Sequence, residues 1–181
     1  MKILKQKIDV PIIKAIQIKN DDSFNVDYDV DYYLFDHGSG GTGESFDWSM
    51  LKEVNKPVFL AGGINLSNID ENIFIFTHLE VVDLSENFLV KISENIQKLI
   101  NLKSLILSDN KIENLPNSIG NLTQLENLYL AGNNLSELPK DIIQLQNLKW
   151  LSLIDNEKLI LTDKQKMWLK SLEEKGCKVL I

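Results

Sequence analysis

The chain has 181 residues, 44% apolar and 25% charged, with 9 glycines, 4 prolines and 1 cysteine; that composition excludes disordered, collagen-like and disulfide-stapled classes. A chain this long buries roughly 70% of the surface its unfolded form exposes, so one domain, or two small ones sharing a core, is expected. Every basic residue is a lysine and the formal net charge is −7, so neither a nucleic-acid partner nor bidentate clamping of a phosphate by arginine is expected.

The first segment, MKILKQKIDVPII, carries Lys2, Lys5 and Lys7 inside an apolar stretch and has no A-x-A-like cleavage site. It does not read as a signal peptide. No apolar run reaches the ~20 residues of a membrane span. The lone Cys177 can form no intramolecular disulfide, which suits a reducing compartment. These features predict a cytoplasmic protein with no membrane contact. KILKQKI (2–8) is expected to form a short helix that covers the edge of the first strand.

Three apolar segments follow as predicted strands: PIIKAIQI from Pro11, YYLFDH from Tyr32 and PVFLAGG from Pro57. The acidic stretch 21–31 between the first two spaces its carboxylates loosely like a calcium loop. It lacks the central glycine and closing glutamate of an EF-hand and reads as a solvated loop. His37 and His78 stand alone, so neither a metal site nor a cofactor is expected.

The strings YYLFDHGSGGTGESFDWSML (32–51) and KPVFLAGGINLSNI (56–69) resemble phosphoribosylanthranilate isomerase, a (β/α)8-barrel enzyme of tryptophan biosynthesis. They are similar to its fifth to seventh strands and the loops that follow. The resemblance runs over residues 11–75 and implies a partial barrel of about three βα units. It places Asp36 at the position of the family's general acid, and Gly62 and Gly63 where the family holds substrate phosphate. Ser67 or Asn68 would cap a helix, 67–76, whose amides suit an anion.

The departures from the family weigh more. Its general-base cysteine has no counterpart, no arginine is present, and LEVVDLSEN stands where the eighth strand is due. Proton transfer needs acid and base together, so no isomerase, and no enzyme, is expected. Asp36, His37, Gly40, Gly41, Gly43 and Asp47 then form either a surviving ligand site or an inherited scaffold in which Asp47 caps a helix over Trp48. The scaffold reading is favoured.

From Leu79 the chain reads LEVVDLSENFL, from Leu102 LKSLILSDNKI, from Leu125 LENLYLAGNNL and from Leu148 LKWLSLIDNEK, a constant spacing of 23. These segments resemble leucine-rich repeats, the last departing at Lys158. Alternate residues such as Leu105 and Leu107 point into the core of each short strand. Asn87, Asn110, Asn133 and Asn156 recur at the following turn, where an amide can bond neighbouring coils. Leu115-Pro116-x-x-Ile119-x-x-Leu122 and its counterpart from Leu138 close the back at helical spacing. Such coils bury their apolar faces only by stacking and need capped ends. Thr162 or Asp163 is expected to cap a helix over 164–175, with Trp168, Leu169 and Leu172 as its stripe and Gly176 as its stop. A short strand from Cys177 ends the chain, with the thiol buried.

Together these elements predict an α/β leucine-rich-repeat solenoid with one continuous parallel sheet. Residues 1–78 form its N-terminal cap, 79–160 the four repeats and 161–181 the C-terminal cap. The outward rows are Val81, Ser104, Asn127, Trp150; Asp83, Ile106, Tyr129, Ser152; and Ser85, Ser108, Ala131, Ile154. Ile106, Tyr129, Trp150 and Ile154 are the candidate protein-binding residues, expected to face solvent. A rim of Glu86, Asp109, Asp155 and Glu157 favours a basic partner. The predicted function is a non-enzymatic protein-interaction module, monomeric or dimeric through its N-terminal edge strand. The alternatives are a vestigial phosphosugar- or anthranilate-binding fragment, a partial isomerase, and a gene-fragment fusion without selected activity.

Overall fold

A computed structural model describes residues 13–18, 32–37 and 58–61, Phe74, Thr77, and all of 79–181. Three parallel strands come first: β1 (Ile13–Ile18), β2 (Tyr32–His37) and β3 (Val58–Ala61). They pair in chain order, with Ile13 opposite Tyr32 and Tyr33 opposite Val58. Tyr33 and Phe74 are buried in the common core. The expected helices over 2–8 and 67–76 and the loop 21–31 fall on residues outside this description, Phe74 apart.

The four repeats supply β4 (Val81–Asp83), β5 (Ser104–Ile106), β6 (Asn127–Tyr129) and β7 (Trp150–Ser152). A fifth strand, β8 (Lys178–Leu180), completes a parallel sheet in the order β4-β5-β6-β7-β8. Each repeat strand is three residues long, and its central leucine or valine enters the core. Leu105, Leu107, Leu128 and Leu130 are all 0% exposed, each worth roughly 1.5–3 kcal/mol of burial. This is the alternation read from the repeat.

One expectation is corrected. The sheet is not continuous: β1–β3 and β4–β8 are separate ladders. β3 and β4 lie beside one another, with Cα atoms within 8 Å. Each takes its register from its other neighbour, β3 from Tyr33–Asp36 and β4 from Ser104–Ile106. A ladder needs its strands in hydrogen-bond register at about 4.8 Å, and no such register joins these two.

The backs of the coils close as the roughly helical spacing of their apolar residues implied, with Ile96, Ile119 and Ile142 buried. Glu94–Lys98, Asn117–Asn121 and Lys140–Gln144 are 3-10 turns rather than α-helical ones. Five residues leave room for little else, and 3-10 geometry is used for such short pieces. Pro116 and Pro139 precede two of these turns at φ −68° and −61°, the value that the pyrrolidine ring imposes. Ser93 starts the other, its hydroxyl accepting from the Asn95 amide at 3.2 Å.

Helix α1 (Asp163–Glu174) replaces the back turn after the fourth repeat. Thr162 is its N-cap, and a reciprocal capping box with Gln165 satisfies two amides. Trp168, Leu169 and Leu172 are buried as expected, and Gly176 follows at φ 92°. Gln165 is buried too, which the apolar stripe did not announce. Its Nε2 donates to the Leu138 carbonyl at 2.8 Å, tying α1 to the third coil. Among the described residues no helix is long and apolar enough to cross a membrane.

Candidate functional site

Parallel pairing in register stacks the outward side chains of the repeat strands into rows. Ile106 stands opposite Tyr129, and Asn127 opposite Trp150. Tyr129 and Trp150 meet diagonally, their ring centroids 6.1 Å apart and their planes tilted by 33°, a distance typical of favourable aromatic pairs. Lys178, opposite Trp150 on β8, sets its ammonium 4.2 Å from the Trp150 ring centroid, within cation–π range. The Trp150 indole N–H is buried and meets no acceptor among the described residues.

Ile106, Tyr129 and Trp150 are therefore brought together, but these three are less open than expected. Ile154 is 39% exposed, whereas Ile106, Tyr129 and Trp150 are half-buried. Ser152, placed on an outward row, is buried. It lies between Tyr129 and Leu180, and these larger neighbours cover its hydroxyl-bearing side chain. Lys178 escaped the sequence reading because α1 breaks the 23-residue spacing before β8. The predicted capping strand was the available signal for it.

The turn beyond the strands has its own periodic feature. Glu86, Asp109, Gly132 and Asp155 adopt φ of 54°, 56°, 64° and 57°. Each precedes a buried asparagine of the repeat. Glycine suits this left-handed region best, and aspartate tolerates it better than most residues do. Asp83 is held differently, accepting from the Ser85 hydroxyl at 2.6 Å and its amide at 3.0 Å.

At the opposite end of the strands, Glu80, Lys103, Glu126 and Lys149 alternate in sign. Lys103 pairs with Glu80, and Lys149 with Glu126, each at 2.8 Å. These pairs are exposed and serve to cancel local charge rather than to stabilise the fold.

The isomerase-like candidates divide sharply. Asp36 occupies the penultimate position of β2, its backbone opposite Gln17 and Ala61. His37 follows it, opposite Ile18. Gly40, Gly41, Gly43, Asp47, Gly62, Gly63, Ser67, Asn68 and His78 lie outside the described residues. Cys177 is buried as expected. Burial pushes its thiol pKa up, and the nearby Glu173 charge adds to the effect. A thiol held neutral is a poor nucleophile.

Two family models match the chain. One, for N-(5'-phosphoribosyl)anthranilate isomerase, matches residues 2–88; the other, for a leucine-rich repeat region, matches 64–177. The isomerase of Endomicrobium trichonymphae is 44% identical over 72 residues, covering 38% of this chain and 36% of the relative. That of Petrotoga mobilis is 47% identical over 72 residues, covering 34% of each. The chain thus spans about a third of the length of these curated relatives.

The solved structures with similar folds are repeat proteins. A leucine-rich-repeat protein of Leptospira interrogans is 29% identical, with a TM-score of 0.57 over 73% of this chain and 32% of that one. The repeat domain of the type III effector XopL, 18% identical, gives 0.53 over 93% and 75%. The ectodomain of a receptor kinase of Arabidopsis thaliana, 24% identical, gives 0.52 over 79% and 20%. The isomerase-like segment is partial, whereas the repeat region takes up well over half of the sequence. With its stacked coils, buried asparagines and five-stranded parallel repeat sheet, the chain belongs to the leucine-rich-repeat family.

Proposed function

We propose that this chain is a non-enzymatic protein-interaction module that binds its partner on the outward face of β4–β8. The observation that carries the reading is the Tyr129–Trp150 pair, with Ile106 beside Tyr129 in register and the exposed Ile154 two positions beyond Ser152. Rigid aromatic groups on a sheet are favoured anchors, because they offer a large area and lose little side-chain freedom on binding. The repeat ectodomain of similar fold from Arabidopsis is in complex with a protein named as a Casparian strip integrity factor. In this reading residues 1–78 cap the first repeat, a role required at the open end of a solenoid. A cytoplasmic location and a monomer or an edge-paired dimer belong to the same proposal.

The test is affinity capture with the full chain and with a Tyr129→Ala, Trp150→Ala variant that retains the native circular dichroism spectrum. The expected result is loss of the proteins held by the parent chain. Equal recovery from both sinks the reading.

The match of residues 2–88 to the isomerase model favours a second reading, a ligand-binding vestige around Asp36, Gly62 and Gly63. It predicts that a non-reactive analogue of the isomerase's phosphorylated substrate raises the melting temperature. At 100-fold excess over Kd the gain is about 2.7 kcal/mol. Asp36→Asn or Gly63→Val would remove it. An unchanged melting temperature in the parent chain leaves the segment as a cap.

A further inference from the structure

The aromatic pair is flanked by two edges of very different charge. Where the strands begin, Glu80, Lys103, Glu126 and Lys149 neutralise one another in pairs. Where they end, Glu86, Asp109, Asp155 and Glu157 are all exposed, and none makes an ion pair among the described residues. Two lysines lie near this second edge. Lys111 is drawn over the Phe88 ring, 5.2 Å from its centroid. Lys158 shares a cleft with Asp155 and Glu157, leaving one ammonium there against two carboxylates.

Gly132 sharpens this asymmetry. It is the one left-handed turn position of the four with no side chain. A Cβ added there would collide with Oδ1 of Asp109, whose carboxylate reaches across from the preceding coil. On the side of Gly132 toward the fourth coil lies a cleft of about 390 Å³ lined by Gly132, Asn133, Asn134, Asp155, Glu157 and Lys158. Coils stack at about 4.8 Å, so the backbones of Asp109 and Asp155 stand about 10 Å apart. A cationic side chain entering this cleft meets the Asp155 and Glu157 carboxylates of its lining, with the Asp109 carboxylate packed against Gly132 at its edge.

We propose that the outward sheet face docks an extended segment of a protein partner that places an apolar side chain on the Tyr129–Trp150 shelf and a lysine or arginine between Asp109 and Asp155. The proposal rests on the interaction-module reading and adds the chemistry and the orientation of the partner. Charge complementarity selects this occupant. A second copy of the chain is disfavoured, because both faces then carry the same acidic edge in a molecule of net charge −7. An acidic segment meets the same repulsion. A basic one is steered toward the face from solution, with an ionic-strength dependence to match.

The test pans a displayed library of random 12-residue peptides on the immobilised full chain. The enriched peptides are then synthesised and titrated against three proteins: the parent, an Asp109→Asn, Asp155→Asn variant and a Tyr129→Ala, Trp150→Ala variant. Asparagine keeps the left-handed turn, so the carboxamide variant retains the fold, as its circular dichroism spectrum checks. Enriched peptides should carry lysine or arginine within a few residues of an aromatic or leucine. The carboxamide variant should bind them at least tenfold more weakly, with a flatter salt dependence, and the aromatic variant should not bind them.

Neutral or acidic consensus peptides, no enrichment over the aromatic variant, or unchanged affinity in the carboxamide variant each overturn the proposal. If only the aromatic variant loses binding, the charge assignment falls and the interaction-module reading stands. If neither variant loses it, both fall. A sedimentation dimer that dissociates in the aromatic variant gives the face to a second copy and overturns the proposal as well.

Discussion

Asn133 reaches back one coil to Leu107: its Nδ2 donates to the Leu107 carbonyl at 2.9 Å, while its Oδ1 accepts from the Ile112 amide at 3.0 Å. Asn110 and Asn156 repeat the arrangement with Leu84 and Leu89, and with Leu130 and Leu135. Each side chain is buried and satisfies a donor and an acceptor that the stacked backbones leave open. The repeat asparagine is thus the polar counterpart of the leucine core.

Asn133→Ala leaves the buried Ile112 N–H unpaired and takes from the Leu107 carbonyl one of its two side-chain donors, Asn110 remaining at 3.1 Å. One unpaired buried group costs about 1–3 kcal/mol, and a loss in that range is expected in urea unfolding. Asn133→Asp restores the acceptor but not the donor, and should recover only part of it. A loss below 1 kcal/mol for the alanine variant would show that the coils do not depend on this link.

Gly120 sits in the 3-10 turn behind the second coil, where an added Cβ would strike the Asp141 carbonyl. The obstacle is backbone and cannot swing aside. Gly120→Ala should therefore destabilise by about 1–3 kcal/mol through overpacking, although alanine ordinarily favours a helical turn over glycine. A melting temperature equal to or above that of the parent chain would contradict the packing of these two turns.

Thr162 accepts from the Gln165 amide at 3.3 Å, and Gln165 Oε1 accepts from the Thr162 amide at 3.0 Å. Thr162→Ala should cost about 1 kcal/mol. Gln165→Ala should cost more, since it also strips the Leu138 carbonyl of its donor. Thermal unfolding of the two variants checks the order.

The Cys177 thiol has a raised pKa, chiefly from burial and then from Glu173. Above the ordinary thiol pKa of about 8.5, the unfolded chain loses this proton while the folded chain keeps it. The folded state then binds more protons, and stability must fall as pH rises through that region. Below it the contribution is constant. Denaturant midpoints taken from pH 7 to pH 10 should decline more steeply for the parent chain than for Cys177→Ala. Parallel curves would remove the thiol from this dependence.

Much of the repeat half was legible in the residues themselves. A period of 23 marks which leucines turn inward, because burial follows the local alternation of a strand whatever lies far away. The same holds for the threonine cap and the Trp168, Leu169 and Leu172 stripe, all decided within a few residues of chain. In the first third, only the resemblance to a known barrel singled out Asp36, Gly62 and Gly63, since no local pattern marks them.

Tertiary structure alone decided the break between the ladders of β3 and β4, the burial of Ser152 and Gln165, and the seating of Lys178 over Trp150. Each depends on how distant segments meet. The register of a strand answers to its stronger neighbour, the exposure of a serine to the bulk beside it, and the place of a lysine to a helix that shifts the next strand out of period. Local pattern determines which side of an element is apolar; the packing of non-repeating parts determines what that side touches.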